Sequence, residues 1–181
     1  RNGLWADFGP KPLADRPGNG LHINFAVTAA DGRDVLPAAI AGILARISDM
    51  TLFLNPKEES YRRFGSCKAP RYISWSAENR SQLIRVPAAE GEYRRAELRS
   101  PDALCNPYLA FALLIRAGME GIAREVQLPP AADLNLFTVP EEVRRRYALL
   151  PETLAAAKAA AAGSDFIKEN LPESVFEYYV N

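Results

Sequence analysis

Between residues 62 and 99 the chain concentrates eight of its 17 arginines, Arg62, Arg63, Arg71, Arg80, Arg85, Arg94, Arg95 and Arg99, together with Lys68. Glu78, Glu90, Glu92 and Glu97 oppose them, so this stretch carries a net charge of +5 in a chain whose 22 basic and 22 acidic residues cancel. The planar fork of arginine binds carboxylate or phosphate oxygens two at a time, whereas lysine acts as a hydrated point charge. The stretch therefore reads as a cradle for an anionic ligand, with a salt-bridged surface as the plain alternative. His22 is the lone histidine, which excludes any site built from several histidines. Cys67 and Cys105 form neither a metal-ligand pattern nor a disulfide framework, so a reducing, cytoplasmic setting is expected.

A frame must position these groups, and 181 residues with 48% hydrophobic content suffice to bury one substantial core. Residues 1–20 are rich in Pro, Gly and Asp and read as loop. The alternating run Leu21 to Thr28 then places Leu21, Ile23, Phe25 and Val27 on one strand face, with His22, Asn24, Ala26 and Thr28 on the other. Apolar residues recur at helical spacing from Leu36 to about Leu54, where Asn55-Pro56 stops the helix. Residues 56–70 are polar and broken by Gly65 and Pro70, which predicts a long functional loop. Arg71 to Ala77, Gln82 to Pro87 and Tyr93 to Arg99 are strand candidates, and their hairpin-length connections predict an antiparallel sheet. In the third, Arg95, Glu97 and Arg99 share one face and Arg94, Ala96 and Leu98 the other.

Asn106-Pro107 reads as a cap and first position of a helix running to about Arg124, and its stretch Tyr108 to Ile115, apolar nearly all round, predicts a central core helix. The remaining third is helical in tendency, with a charged segment from Pro140 to Leu150, an alanine-rich one from Pro151 to Ala162, and short ones from Ser164 and Pro172. No apolar run approaches the roughly 18 residues that a membrane-spanning helix needs. Arg1 to Trp5 lack a signal pattern, and neither global charge nor interleaved stacking aromatics point to nucleic acid or a membrane surface.

Three strings stand in order: GNGLHINF at 18–25, NPKEESYRRFGSCKAPRYISWSAENRSQLIRVP at 55–87, and YRRAELRSPDALCNPYLAFALLIRAGMEGI at 93–122. Together with the closing FEYYV at 176–180 they resemble the C-terminal part of the catalytic domain of glutamine synthetase. The resemblance implies an α+β fold in which an antiparallel sheet carries the site and helices pack behind it. It also implies ATP-dependent amide formation from glutamate and ammonia through an acyl phosphate. By the same resemblance His22 and Glu97 are ligands of one Mg²⁺ or Mn²⁺, with donor atoms about 3 to 5 Å apart when metal is bound. Arg80 and Arg85 hold the transferring phosphate, Arg95 contacts the nucleotide, and Arg63, Arg99 and Gly18 receive the amino-acid substrate. Read without the resemblance, His22 is a structural polar-face histidine and Glu97 an ion-pair partner of Arg95 or Arg99. Arg62 and Arg94 match no functional position.

The sequence also departs from its family. Lys68 stands where the flap carries a glutamate before Ala-Pro, in a loop one residue shorter. A cation there cannot attract ammonium, and suits holding a further carboxylate or phosphate, or closing by pairing with Glu90 or Glu92. Asn24 replaces the second histidine of the family's HxH pattern, Pro17 an asparagine, and Phe137 the tyrosine that some relatives modify with AMP. The N-terminal β-grasp domain and the first part of the catalytic domain, with further metal-binding glutamates, are absent from residues 1–181. The resemblance therefore implies a fragment, inactive alone and part of a homo-oligomer when full length. Alternative readings are a ligase for another amine or acid, and a noncatalytic nucleotide- or anion-binding homologue. A nucleic-acid face ranks last.

Overall fold

The computed structural model describes residues 2–89, 91 and 94–181. Any pairing of Lys68 with Glu90 or Glu92, and the Tyr93 end of the third strand candidate, lie outside the described residues.

Two crossed helices organise the core. The first, α1 (Leu36–Leu54), starts where Asp34 Oδ1 accepts the Leu36 N–H at 3.2 Å, with Pro37 in a first turn that does not need its missing donor. It ends at Asn55 because Pro56 cannot continue it. By length and composition α1 is apolar enough to cross a membrane, contrary to the expectation from the sequence. Two-thirds of its apolar window is nonetheless buried inside the fold, against α3 (Pro107–Ala123) and α5 (Leu154–Ala162). The α1 and α3 backbones touch at Gly42 and Gly121. A Cβ on Gly42 would lie 2.2 Å from the Ala117 carbonyl, and one on Gly121 2.2 Å from that of Ala38, so both positions require glycine.

Helix α3 opens as expected, with Asn106 Oδ1 accepting the Tyr108 N–H at 3.0 Å. Its apolar run is not buried all round. Ala110, Leu113, Leu114 and Ala117 face the core, while Tyr108, Phe111, Ile115 and Met119 form an exposed stripe at helical spacing. The short helices are α2 (Glu58–Tyr61), a single turn within the predicted loop, α4 (Glu141–Arg144), α6 (Asp165–Asn170) and α7 (Glu173–Val180). The charged Pro140 to Leu150 segment is helical only over α4. Its end runs back to the sheet, where Ile73 N–H donates to Ala148 O at 2.8 Å and Leu150 N–H to Arg71 O at 2.9 Å.

The sheet has the order β1 (Ile23–Phe25), β4 (Ala96–Leu98), β3 (Ile84–Arg85), β2 (Trp75–Ser76). It is mixed: β4 is antiparallel to both neighbours, but β2 pairs parallel to β3. Strands of two residues are short enough for the seven residues between them to loop back, which a longer parallel pair would not allow. Ser76 Oγ turns that loop by accepting the N–H groups of Glu78 at 3.2 Å and Asn79 at 3.1 Å, and Asn79 Oδ1 then accepts from Ser81 at 2.9 Å. Ile23, Ile84, Ala96 and Leu98 point into the core, so the alternate residues of β1 and β4 face outward.

Candidate active site

The outward face carries the chemistry. Register pairs Asn24 with Glu97 across β1 and β4, and Arg85 with Glu97 across β3 and β4. One cavity of about 390 Å³ opens here, lined by Gly18, Gly20, His22, Arg63, Cys67, Lys68, Ala69, Arg80, Arg85, Glu97 and Arg99. It thus gathers His22, Glu97, Arg63, Arg80, Arg85, Arg99, Lys68 and Gly18 from positions up to 81 residues apart in sequence. Arg95 shares the strand face but lies outside this lining, exposed, with its Nε 3.3 Å from Asn24 Oδ1. Arg94 is paired with Asp34, and Arg62 is exposed away from the cavity.

Glu97 is the hub. Its Oε1 lies 2.9 Å from His22 Nδ1, and its Oε2 lies 3.1 Å from Arg99 Nη1 and 3.7 Å from Arg85 Nη1. Burial pushes this carboxyl up, but Arg99 and His22 outweigh burial and hold it below the usual carboxylate range. Burial and the nearby Arg99 charge lower the His22 pKa against the opposing pull of Glu97. At neutral pH the pair is therefore a carboxylate and a neutral imidazole whose Nδ1–H donates to it, a hydrogen bond that a divalent cation held by both side chains would replace. The two side chains are close enough that one divalent cation could be held by both. Among the described residues no cluster of three or more His, Cys, Asp or Glu exists. A cation held there would take the rest of its shell from water, phosphate or other groups.

Arg63 and Arg99 are almost fully buried, at 3% and 4% exposed. Arg63 Nη1 donates to Ser100 O at 3.0 Å, and burial lowers its pKa against the field of Asp102. Asn55, at the end of α1, donates to the same Ser100 carbonyl at 2.9 Å and to Asp102 Oδ2 at 3.3 Å, while Asp102 N–H donates to Leu54 O at 3.1 Å. This buried brace holds Arg63, and the polar Asn55 and Asp102 flanking an apolar helix and a strand are its only signal in the sequence. A Cβ at Gly18 would strike the Pro10 carbonyl at 2.2 Å and Arg63 Cγ at 2.8 Å, so only glycine lets this loop lie against Arg63. Arg80 follows the Ser76-Asn79 turn, and Arg85 Nε donates to Glu78 O at 3.2 Å.

Cys67, which no motif in the sequence marks, lines the cavity beside Lys68, both in left-handed backbone at φ 47° and 73°. The loop is held by Gly65 N–H to Ala69 O at 3.0 Å, Ala69 N–H to Ser66 O at 2.9 Å, and Arg99 Nη2 to Lys68 O at 3.3 Å. Both cysteines are free.

Residues 1–181 match the family described as glutamine synthetase, catalytic domain. This chain belongs to the glutamine synthetase family. It is 41% identical to the glutamine synthetase of Methanosarcina mazei over 98% of its length, and 37% identical to that of Thermus thermophilus over 99%. A solved structure described as a GmaS/ADP complex superposes with a TM-score of 0.82 at 26% identity, over 96% of this chain and 44% of that one. The chain spans 43% and 44% of the lengths of those two glutamine synthetases. The α+β arrangement expected from the sequence is thus that of a glutamine synthetase-family catalytic domain.

Proposed function

We propose that this chain is the C-terminal portion of the catalytic domain of an ATP-dependent carboxylate–amine ligase that joins glutamate to ammonia or another amine. One observation carries the reading: five cationic side chains and the His22–Glu97 pair, drawn from separate elements, line a single cavity. Such a site fits an acid and a nucleotide, both anionic, brought together for in-line phosphoryl transfer.

In this reading Arg63 and Arg99 receive the carboxylates of the acid, Arg63 held by the Ser100 carbonyl and Arg99 by Glu97 and the Lys68 carbonyl. Arg80 and Arg85 hold the moving phosphoryl group, and Arg95, at the rim, faces the nucleotide. A divalent ion on His22 and Glu97 neutralises phosphate charge when bound. The side-chain carboxylate oxygen forms a bond to the γ-phosphorus as the bond to ADP breaks. The amine nitrogen then forms a bond to the acyl carbon, the carbon–oxygen bond to phosphate breaks, and phosphate leaves with the electron pair. Starting from an ammonium, one proton is released to water overall. Preorganised arginines act mainly on the first step, where charge moves onto equatorial oxygens.

The share of the relatives' length that this chain represents bears on activity. The exposed stripe of Tyr108, Phe111, Ile115 and Met119 adjoins an apolar groove lined by Phe25, Ile43 and Leu114. We assign this face to the rest of the family-length protein, which also supplies the missing metal ligands and the homo-oligomer contacts. The test is phosphate release by the family-length protein carrying this chain, with ATP, glutamate and an amine. Dependence on all three, lost in Arg85→Ala, supports a ligase; nucleotide binding without turnover under any amine favours the noncatalytic homologue.

A further inference from the structure

The charge on this chain's side of the cavity bears on which amine the site accepts, an inference that rests on the ligase reading above. Arg63, Lys68, Arg80, Arg85 and Arg99 line the cavity, and Glu97 is the sole carboxylate among the described lining residues. Both oxygens of Glu97 are engaged, by His22 on one side and by Arg99 and Arg85 on the other. An incoming cationic amine therefore meets no unengaged anion on this wall. Arg63 and Arg99 are buried, whereas Lys68 is an exposed lining residue on a loop tethered to Arg99 through its own carbonyl. Lys68 is therefore a solvent-accessible cation in the lining that a second ligand can reach.

We infer that the amine substrate itself carries an anionic group, a carboxylate, which Lys68 Nζ receives as the nitrogen approaches the acyl carbon. The substrate class is an amino acid or comparable amino-carboxylate, and the product a γ-glutamyl amide with a free carboxylate beyond the new bond. An ammonium salt or a simple alkylamine lacks the group that Lys68 would pair with. A charge-assisted contact of this kind is worth roughly a tenfold to hundredfold preference.

The experiment titrates the family-length protein carrying this chain by calorimetry with three probes: γ-glutamylglutamate, γ-glutamylmethylamide and γ-carboxyglutamate. The first places its extra carboxylate on the amine side, the second has none, and the third carries it on the acid. Wild type should bind γ-glutamylglutamate roughly tenfold to hundredfold more tightly than the methylamide. Lys68→Asn, chosen because asparagine tolerates the left-handed backbone at this position, should erase that preference, and Lys68→Arg should restore it. Equal binding of the first two probes by wild type, or a preference that survives Lys68→Asn, overturns the inference while leaving the ligase reading intact. A preference for γ-carboxyglutamate that depends on Lys68 also overturns it, by moving the carboxylate to the acid. Failure to bind any probe overturns both.

Discussion

His22 Nδ1 lies 2.9 Å from Glu97 Oε1, and the opposite oxygen of the same carboxylate lies 3.1 Å from Arg99 Nη1. One side chain thus links the proposed metal position to one of the proposed substrate arginines. Glu97→Gln keeps the shape but removes the charge, so it should abolish the response to Mn²⁺. In wild type, Mn²⁺ at about 100 times its Kd should raise Tm by roughly 5 to 10 °C. Thermal unfolding with and without Mn²⁺ checks this, and an undiminished shift in Glu97→Gln would count against the metal assignment.

The same pair sets a pH dependence. His22 has its pKa lowered below 6.5 in the fold, so its neutral form persists to lower pH than in a free imidazole. In the window between that lowered value and 6.5 the unfolded chain binds the additional proton, so stability rises with pH there. Glu97, held below 4.5, contributes in the same direction at lower pH, its share being present above 4.5 and lost as pH falls through the folded value. Mn²⁺ binding followed by electron paramagnetic resonance should therefore remain above half its maximum at pH 6.5. A midpoint above 6.5 would contradict the burial and Arg99 effect.

Core packing offers a prediction independent of the site. Gly42→Ala places a methyl 2.2 Å from the Ala117 carbonyl, where backbone and not a flexible side chain must move. The expected loss is about 1 to 3 kcal/mol in urea unfolding. Gly118→Ala, whose Cβ would meet Ala39 at 3.6 Å, is the matched control and should cost little.

The chain by itself should form no amide, because its cavity supplies two metal donors and its α3 stripe is open to solvent. Ile115, 62% exposed, should tolerate Ile115→Lys in the isolated chain within about 0.5 kcal/mol. In the family-length protein the same substitution should impair folding or assembly, as seen by size-exclusion chromatography. Measurable turnover by the chain alone would contradict the assignment of the remaining site groups to a longer protein.

Much of the frame was legible in the sequence. The limits of α1 follow from apolar spacing closed by Asn55-Pro56, and the start of α3 from Asn106-Pro107, since both depend on neighbours within one or two turns. The outward direction of His22 and Glu97 follows from alternation in their strands, and resemblance alone joined them, because the register of Asn24 on Glu97 links positions 73 apart. Residue spacing could not show the parallel pairing of β2 with β3, which arises from a turn around Ser76. Nor could it show that one face of α3 stays open, or that Gly42 meets Gly121. Composition near the arginines did not separate Arg95, set outside the cavity, from Arg85, set within it.

The measurement closest to the central claim is ADP binding to the chain with and without Mn²⁺, in wild type, Glu97→Gln and Arg85→Ala. If one cavity holds phosphate and metal together, Mn²⁺ tightens ADP binding in wild type, Glu97→Gln loses that enhancement, and Arg85→Ala weakens binding under both conditions. ADP affinity that ignores Mn²⁺ in wild type and is the same in all three proteins would contradict the account.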